Sequence, residues 1–387
     1  ATIAHGGSSK TCLLCTIMKV LMVAPSVRVP DTLGQTLHQL ALANGLAKRG
    51  LKITLLCRYN SINKEANFDS NLNFLSVSDP KIPFERLIFT YNSYKLALNE
   101  LKTNDYDLVH DRGYIFAGSG VRAANECGVK SILQVDDNWI RSERSATKFA
   151  KYWLYNKKAI DSCFNQIDKA NGGFTVSAVL REQITKWNSK AQDFQVIQNG
   201  YESARFIPGK TPLGIKDKLG IRGKLAVFVG ALGPWHGIDE IISVAKDNPS
   251  LSVVVAGGGY GNNLPALDNL YHIGRLDRDE VPRLLVEADI GLAPYPNLDY
   301  GFSPLKIYEY MGCKLPVFAT DLPSVREATE GNAFLAKPGN LSSLVSNKID
   351  NGEELNRVAN SAYDYATKRR TWDNTIDETI ELYNRIA

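Results

Sequence analysis

Lys19-Val-Leu-Met-Val-Ala24 is an unbroken apolar run closed by Pro25. A strand without polar alternation has no face for water, so it must be covered on both sides, as the strands of a parallel sheet are by helices. After a polar loop holding Gly34, Thr36 to Arg49 sets Leu37, Leu40, Ala41, Ala43 and Leu46 on one helical face, and Gly50 ends it. Lys52 to Cys57 is again strand-like, which completes a βαβ unit with a right-handed crossover. Tyr106–His110, Ser131–Val135 and Gly173–Val176 continue the series, and Leu225–Val229, Ser252–Ala256, Ile290–Pro294 and Pro316–Ala319 form a second one. The pattern predicts an α/β protein of two Rossmann-like, doubly wound domains facing across a cleft. The join falls between Ile207 and Leu219, where Pro208, Gly209, Pro212 and Gly214 interrupt regular structure.

The 387 residues suffice for two such domains, each with its own core. The net charge of +4 hides an asymmetry: up to Pro208, 26 Lys and Arg stand against 18 Asp and Glu, and beyond it 19 stand against 23. The first half is therefore the one suited to an anionic surface, with simple solubility as the plainer reading. Six cysteines in so long a chain make no disulfide framework, and a reducing cytoplasm is the compartment they imply. Cys12 and Cys15 have the inner spacing of half a zinc site but lack a second pair. No apolar run reaches the length of a membrane-spanning helix. Residues 1–17 make a poor signal peptide and are read as a leader or tag-like extension, because Met18-Lys19 opens directly into the first strand.

In open α/β sheets ligands bind beyond the carboxyl ends of the strands, so the loops there carry the chemistry. Gly34 lies between the first strand and its helix, where free amides and the helix dipole favour an anion, although one glycine is also an ordinary turn residue. Val229 to Gly237 opens the second domain with a glycine loop holding Gly230 and His236, a phosphate donor or proton carrier if not simply structural. Ala256-Gly-Gly-Gly-Tyr260 suits close backbone approach to a ligand, or a flexible turn. The densest signal is Gly301 to Gly312: Ser303 reads as a helix N-cap, Pro304 as the first helical residue, and Lys306 and Glu309 share a face one turn in. A base and an acid beside a helix start suit a phosphorylated ligand with hydroxyls, Lys306 for a diphosphate and Glu309 for a ribose diol; the plainer reading is a surface ion pair.

Met18 to Pro25, Leu33-Gly-Gln-Thr-Leu-His38, Val196-Ile-Gln-Asn-Gly200 with Phe206-Ile-Pro208, Val229-Gly230 to His236-Gly237, Ile273-Gly-Arg275, Ala288-Asp289 and Ser303 to Met311 together make the chain resemble glycosyltransferase family 4, from Met18 nearly to the end. The resemblance implies the GT-B fold and a retaining transfer from a UDP- or GDP-sugar to an acceptor hydroxyl in glycan, polysaccharide or glycolipid synthesis. It implies an acceptor domain over 18–207, a donor domain over 208–365, and a C-terminal helix within 366–387 crossing back to the first. Carried over, Gly34 approaches the donor diphosphate, Gly274-Arg275 hold the base through the backbone, and Glu309 binds the ribose. Gly230, Ser303, Pro304 and Leu305 complete the donor set.

Several positions depart from the family pattern. Eight residues before Glu309, where a second glutamate is usual, stands Gly301, leaving the donor-sugar contact missing or supplied by Asp299. Ala231 and His236 replace an arginine and a lysine, so Lys306 takes over that charge. A cleft histidine is replaced by Asp136, followed by Asp137, which would orient the acceptor or act as base. These departures motivate a competing reading, a catalytically silent GT-B protein that binds nucleotide sugar or glycan as a partner subunit. Asp136 and Asp137 are adjacent and no Asp-x-Asp stands on the relevant loop, so no metal is expected; the nucleotide sugar is a co-substrate and no cofactor is needed. Arg141, Arg144, Lys148, Lys151, Lys157 and Lys158, interleaved with Phe149, Tyr152, Trp153 and Tyr155, read either as a solvated helix face or as the surface by which a peripheral enzyme reaches anionic lipid or a lipid-linked acceptor at the inner membrane face. No stacking platform for nucleic acid is present.

Overall fold

The structure is a computed structural model of the chain, describing residues 17–29, 34–59, 68–78, 85–113, 118–137, 153–259, 264–298 and 300–387. The first sheet has seven strands, β1 (Lys19–Val29), β2 (Lys52–Tyr59), β3 (Leu72–Ser76), β4 (Leu108–Arg112), β5 (Lys130–Val135), β6 (Gly172–Thr175) and β7 (Gln195–Val196), in the order β3-β2-β1-β4-β5-β6-β7. Its helices are α1 (Gly34–Lys48), α2 (Glu85–Thr103), α3 (Ser119–Cys127), α4 (Trp153–Lys169) and α5 (Ala178–Thr185). All its strand pairs are parallel. The apolar β1 run is explained by its two faces: Val20, Met22 and Ala24 pack in the core that contains α1, and Leu21 and Val23 in the one that contains Ala97, Ala123 and Ala124 of α2 and α3.

The expected end of β1 at Pro25 is corrected. The strand runs on to Val29, but its ladder to β2 breaks after Val23 and resumes at Arg28, because proline has no N–H to donate there. Four strands outside the expectation, β3, β7 and, in the second sheet, β10 (Leu270–Gly274) and β13 (Phe334–Ala336), lie at or next to the sheet edges. In β3 and β10 partial exposure permits polar residues, so no continuous apolar run marks them, while β7 and β13 are only two and three residues long.

The second sheet adds β8 (Leu225–Val229), β9 (Ser252–Ala256), β11 (Ile290–Ala293) and β12 (Val317–Thr320), in the order β10-β9-β8-β11-β12-β13. Around it lie α6 (Ile215–Leu219), α7 (Ile238–Asp247), α8 (Glu280–Leu285), α9 (Leu305–Gly312), α10 (Pro323–Thr329), α11 (Leu341–Lys348) and α12 (Gly352–Arg369). In each sheet the strand order reverses beside the first strand, β1 or β8, which places a crevice at its carboxyl end.

The chain crosses between the sheets twice at one place. Tyr201 and Thr371 form a parallel bridge, and a Cβ on Gly200 would lie 2.3 Å from the backbone of Thr371 and Trp372, so only glycine allows the two crossings to touch. α13 (Trp372–Ile386) then returns to the first sheet, with Ile376, Leu382 and Tyr383 in the β1 and α1 core. Residue 366, the sequence-based boundary of this helix, lies inside α12; the break comes at Arg370–Thr371, where Thr371 and Asn374 form a capping box. Across the cleft, Glu327 of α10 accepts from the Ala178 N–H at 2.7 Å and the Gln198 amide at 2.9 Å, and the Gln183 side chain of α5 accepts from the Gly301 N–H at 2.9 Å.

Candidate functional site

The ends of β8, β9 and β10 are drawn together by glycines. Gly230 and Gly257 have φ of 153° and 149°, and a Cβ on Gly257 would lie 1.8 Å from the Gly230 carbonyl oxygen. Two main chains approach this closely only without side chains. The Gly257 N–H donates to the Gly274 carbonyl at 2.7 Å, and the Arg275 side chain lies against Gly258.

Lys306 and Glu309 of α9 close this pocket. The Lys306 ammonium is buried with no hydrogen-bond partner, 4.1 Å above the Phe228 ring and 5.6 Å from that of Tyr295. It would stand 3.0 Å from a Cβ on Gly230. Burial pulls its pKa down to about 7, opposed by Glu309. Glu309 is raised to about 7 by burial, with Arg278 pulling the other way; Arg278 and Arg205 both bond Glu202 nearby. The surface ion-pair reading is thereby replaced: the Lys306 ammonium is enclosed without a partner, both side chains are half-buried, and each is pushed towards its neutral form.

Two sequence expectations need correction here. Ser303 is not the N-cap, since α9 begins at Leu305 with Pro304 at the cap position, ψ 75°, and no side chain capping it. The Leu305 N–H instead turns back to the Ser303 carbonyl at 3.1 Å. His236 is not a cation or a ready donor. Its Nδ1 meets the Ala231 carbonyl, which only accepts, so Nδ1 carries the hydrogen and Nε2 is a lone pair. Burial, and then Lys306, drive its pKa down to about 3.

Gly301 has a steric reason. A Cβ there would lie 2.4 Å from the Leu180 backbone nitrogen on α5, so the glutamate that the resemblance led us to expect cannot be seated in this arrangement.

On the facing side, Gly34 opens α1. Asp136 directly follows β5, with Asp137 next in sequence, and accepts from Arg112 Nε at 2.7 Å and Gln134 Nε2 at 2.7 Å; His38 Nδ1 is 3.7 Å away. Burial alone would raise the Asp136 pKa, but the Arg112 and His38 charges and these hydrogen bonds outweigh it and hold the carboxyl below its usual range. A carboxylate so stabilised is a poor base and a good anchor. His38 was not singled out from the sequence. It is 4% exposed, its Nε2 has no partner, and its ring stacks on Trp372 with centroids 5.2 Å apart. Its place one turn beyond Gly34 was the available signal.

Arg141, Arg144, Lys148, Lys151, Asp299 and residues 1–16 lie outside the described residues. Lys157 and Lys158 are exposed on α4, whose Cys163 and Ile167 are buried. Among the described residues, no group of three or more His, Cys, Asp or Glu is arranged to hold a metal ion, and no helix is long and apolar enough to cross a membrane.

Residues 33–205 match the family described as Glycosyltransferase Family 4, and residues 215–369 the one described as Glycosyl transferases group 1. A D-inositol 3-phosphate glycosyltransferase of Mycolicibacterium gilvum is 26% identical over 209 residues, 49% of this chain and 46% of that protein. The chain thus spans about half the length of the curated relatives it matches. Among solved structures, sucrose-phosphate synthase from Thermosynechococcus elongatus superposes with a TM-score of 0.74 at 12% identity, over 95% of this chain and 98% of that one. HepE of Anabaena in complex with UDP-glucose gives 0.71 at 16%, over 95% and 100%.

Proposed function

Because the chain belongs to the family 4 glycosyltransferases of GT-B fold, we propose that it transfers a sugar from a nucleotide-sugar donor to an acceptor hydroxyl, with retention at the anomeric carbon. The observation that carries this is the buried, unpartnered Lys306 ammonium beside the Gly230–Gly257 contact. An ammonium resting on an aromatic face has three unmet donors, and a diphosphate satisfies them while the glycines let its oxygens reach the main chain.

In this reading Lys306 neutralises the diphosphate as it leaves, so its contribution grows as the sugar–oxygen bond breaks. Glu309 accepts the ribose hydroxyls, Gly274 and Arg275 flank the base, and Leu305 with Pro304 shapes the entrance. Gly34 faces the diphosphate from the first domain, and Asp136 orients the acceptor. His236 stands as a neutral ring against Phe228, the ring beneath the Lys306 ammonium. The UDP-glucose in the HepE structure supports a UDP-sugar donor, with a GDP-sugar as the other candidate. The acceptor is a sugar or a lipid-linked glycan precursor, reached in the cytoplasm at the inner membrane face through the basic residues around Lys157 and Lys158. A silent partner subunit is not favoured, because Gly301 has a steric reason and the Lys306 charge stands where Ala231 and His236 provide none.

The test is a thermal-shift panel of UDP-glucose and GDP-mannose followed by slow donor hydrolysis. Glu309→Ala should weaken the bound donor by about 1.5–3 kcal/mol, the usual worth of a hydrogen bond to a charged group. Unchanged calorimetric affinity refutes its ribose role.

A further inference from the structure

A line of buried polar groups joins the C-terminal helix to the cleft. Tyr383 of α13 lies 2.6 Å from His110 Nδ1; His110 Nε2 lies 2.8 Å from Gln134 Oε1; and Gln134 Nε2 lies 2.7 Å from Asp136 Oδ1. Tyr383, His110 and Gln134 are fully buried, whereas the Asp136 side chain is 15% exposed.

The direction of every bond in this line follows from its cleft end. Asp136 is paired with Arg112 and is ionised, so it only accepts. Gln134 must then donate through its NH₂, which turns its carbonyl oxygen towards His110. That oxygen needs a donor, so His110 carries its hydrogen on Nε2. The fully buried ring is neutral, its pKa lowered to about 4 by burial, so Nδ1 is a lone pair. Tyr383 therefore donates. Each group has a single role, and the line ends at the one member that reaches the cleft. The same helix touches the site again through Trp372, stacked on the His38 ring that faces Asp136.

We infer that Tyr383, His110 and Gln134 are positioning residues, which aim the Asp136 carboxylate so that a lone pair left free by Arg112 and Gln134 binds the acceptor hydroxyl. This rests on the glycosyltransfer reading above. A helix that continues the second domain thus sets the acceptor side of the first. Replacing the line with apolar residues of equal volume would pack as well but would leave Asp136 held from the Arg112 side alone.

The test uses the full chain, UDP-glucose and GDP-mannose as donors, and water in place of the acceptor hydroxyl. His110→Leu should lower kcat for donor hydrolysis about tenfold with donor KM within about twofold, because the reacting group and not the donor is misplaced. His110→Gln, which keeps an N–H where Nε2–H stood, should stay within about threefold of the native rate. Tyr383→Phe should fall between them. The chain has five histidines, few enough for ¹⁵N-imidazole spectra, in which His110 should be the Nε2–H tautomer throughout pH 5–8 and its Nδ1 resonance should shift in Tyr383→Phe. Equal rates for the Leu and Gln variants, or an Nδ1–H tautomer, overturn the positioning role. If His110→Leu does not fold, Tyr383→Phe and the spectra decide. Failure of the native protein to bind or turn over either donor refutes the glycosyltransfer reading, and the role of Asp136 with it.

Discussion

Donor binding should move protons, and the sign should reverse near neutrality. Lys306 sits at about 7 and Glu309 also at about 7, both displaced first by burial. UDP-glucose has no group titrating in this range, so any proton exchanged belongs to the protein. A bound diphosphate holds Lys306 protonated, and ribose hydroxyls need Glu309 ionised. At pH 8 Lys306 is about nine-tenths neutral before donor binds and takes up that share of a proton on binding, while Glu309 releases about a tenth, a net uptake of about 0.8. At pH 6 the same arithmetic gives a net release of about 0.8, and at pH 7 about zero. Affinity should peak near pH 7, fall about threefold over the first unit on either side, and approach tenfold per unit, about 1.4 kcal/mol, beyond that. Calorimetry in buffers of different ionisation enthalpy reads the proton count directly. Lys306→Arg, always charged, should lose the alkaline limb and keep the acid one. Heats at pH 8 that do not depend on the buffer, or an affinity flat from pH 6 to 8.5, would refute the assignment of Lys306 to the diphosphate.

Gly301→Ala should cost about 1–3 kcal/mol, as overpacking does, and enlarge the radius of gyration in solution scattering, because its Cβ meets main-chain atoms of Leu180 that cannot yield unless the domains part. Gly257→Ala should abolish UDP-glucose binding by calorimetry while urea unfolding shows the first domain unaffected, since the Gly230 carbonyl occupies the new atom's place. On acidification, His110 takes up a proton only on unfolding, so its contribution is complete above pH 6.5 and is lost as pH falls towards 4. Asp111 and Glu309, both raised to about 7, act in the opposite sense over part of this window. The measurement is therefore a difference: relative to the native protein, His110→Gln should gain about 1.4 kcal/mol per pH unit below 6.5 in urea unfolding, and parallel pH curves would refute it.

The two-sheet architecture was legible because central parallel strands are buried on both faces and so are written as continuous apolar runs, as in β1 and β9. Edge strands such as β3 carry no such mark. The glycine loops and the Lys306–Glu309 spacing were legible because close main-chain approach and a shared helical face are local properties. Ser303 misled because the cap preference is local while the path into α9 is fixed by neighbours: the Gly301 N–H is bonded to Gln183, the Phe302 N–H to Ser324. His38 escaped notice because its significance depends on Asp136 and Trp372, far along the chain.

The sequence alone determined which segments are buried, where the main chain passes without side chains, and which charged residues lie on strand-end loops, since each follows from near neighbours and the period of strand or helix. Only the tertiary structure decided what those charges are. His236 becomes neutral and Lys306 only about half charged near pH 7, because burial removes water, and Asp136 stays ionised because Arg112 arrives beside it. The direction of the line from Tyr383 to Asp136 is set across 273 residues between Tyr383 and His110. Protonation states depend on distances between groups that folding brings together, and no local pattern records those distances.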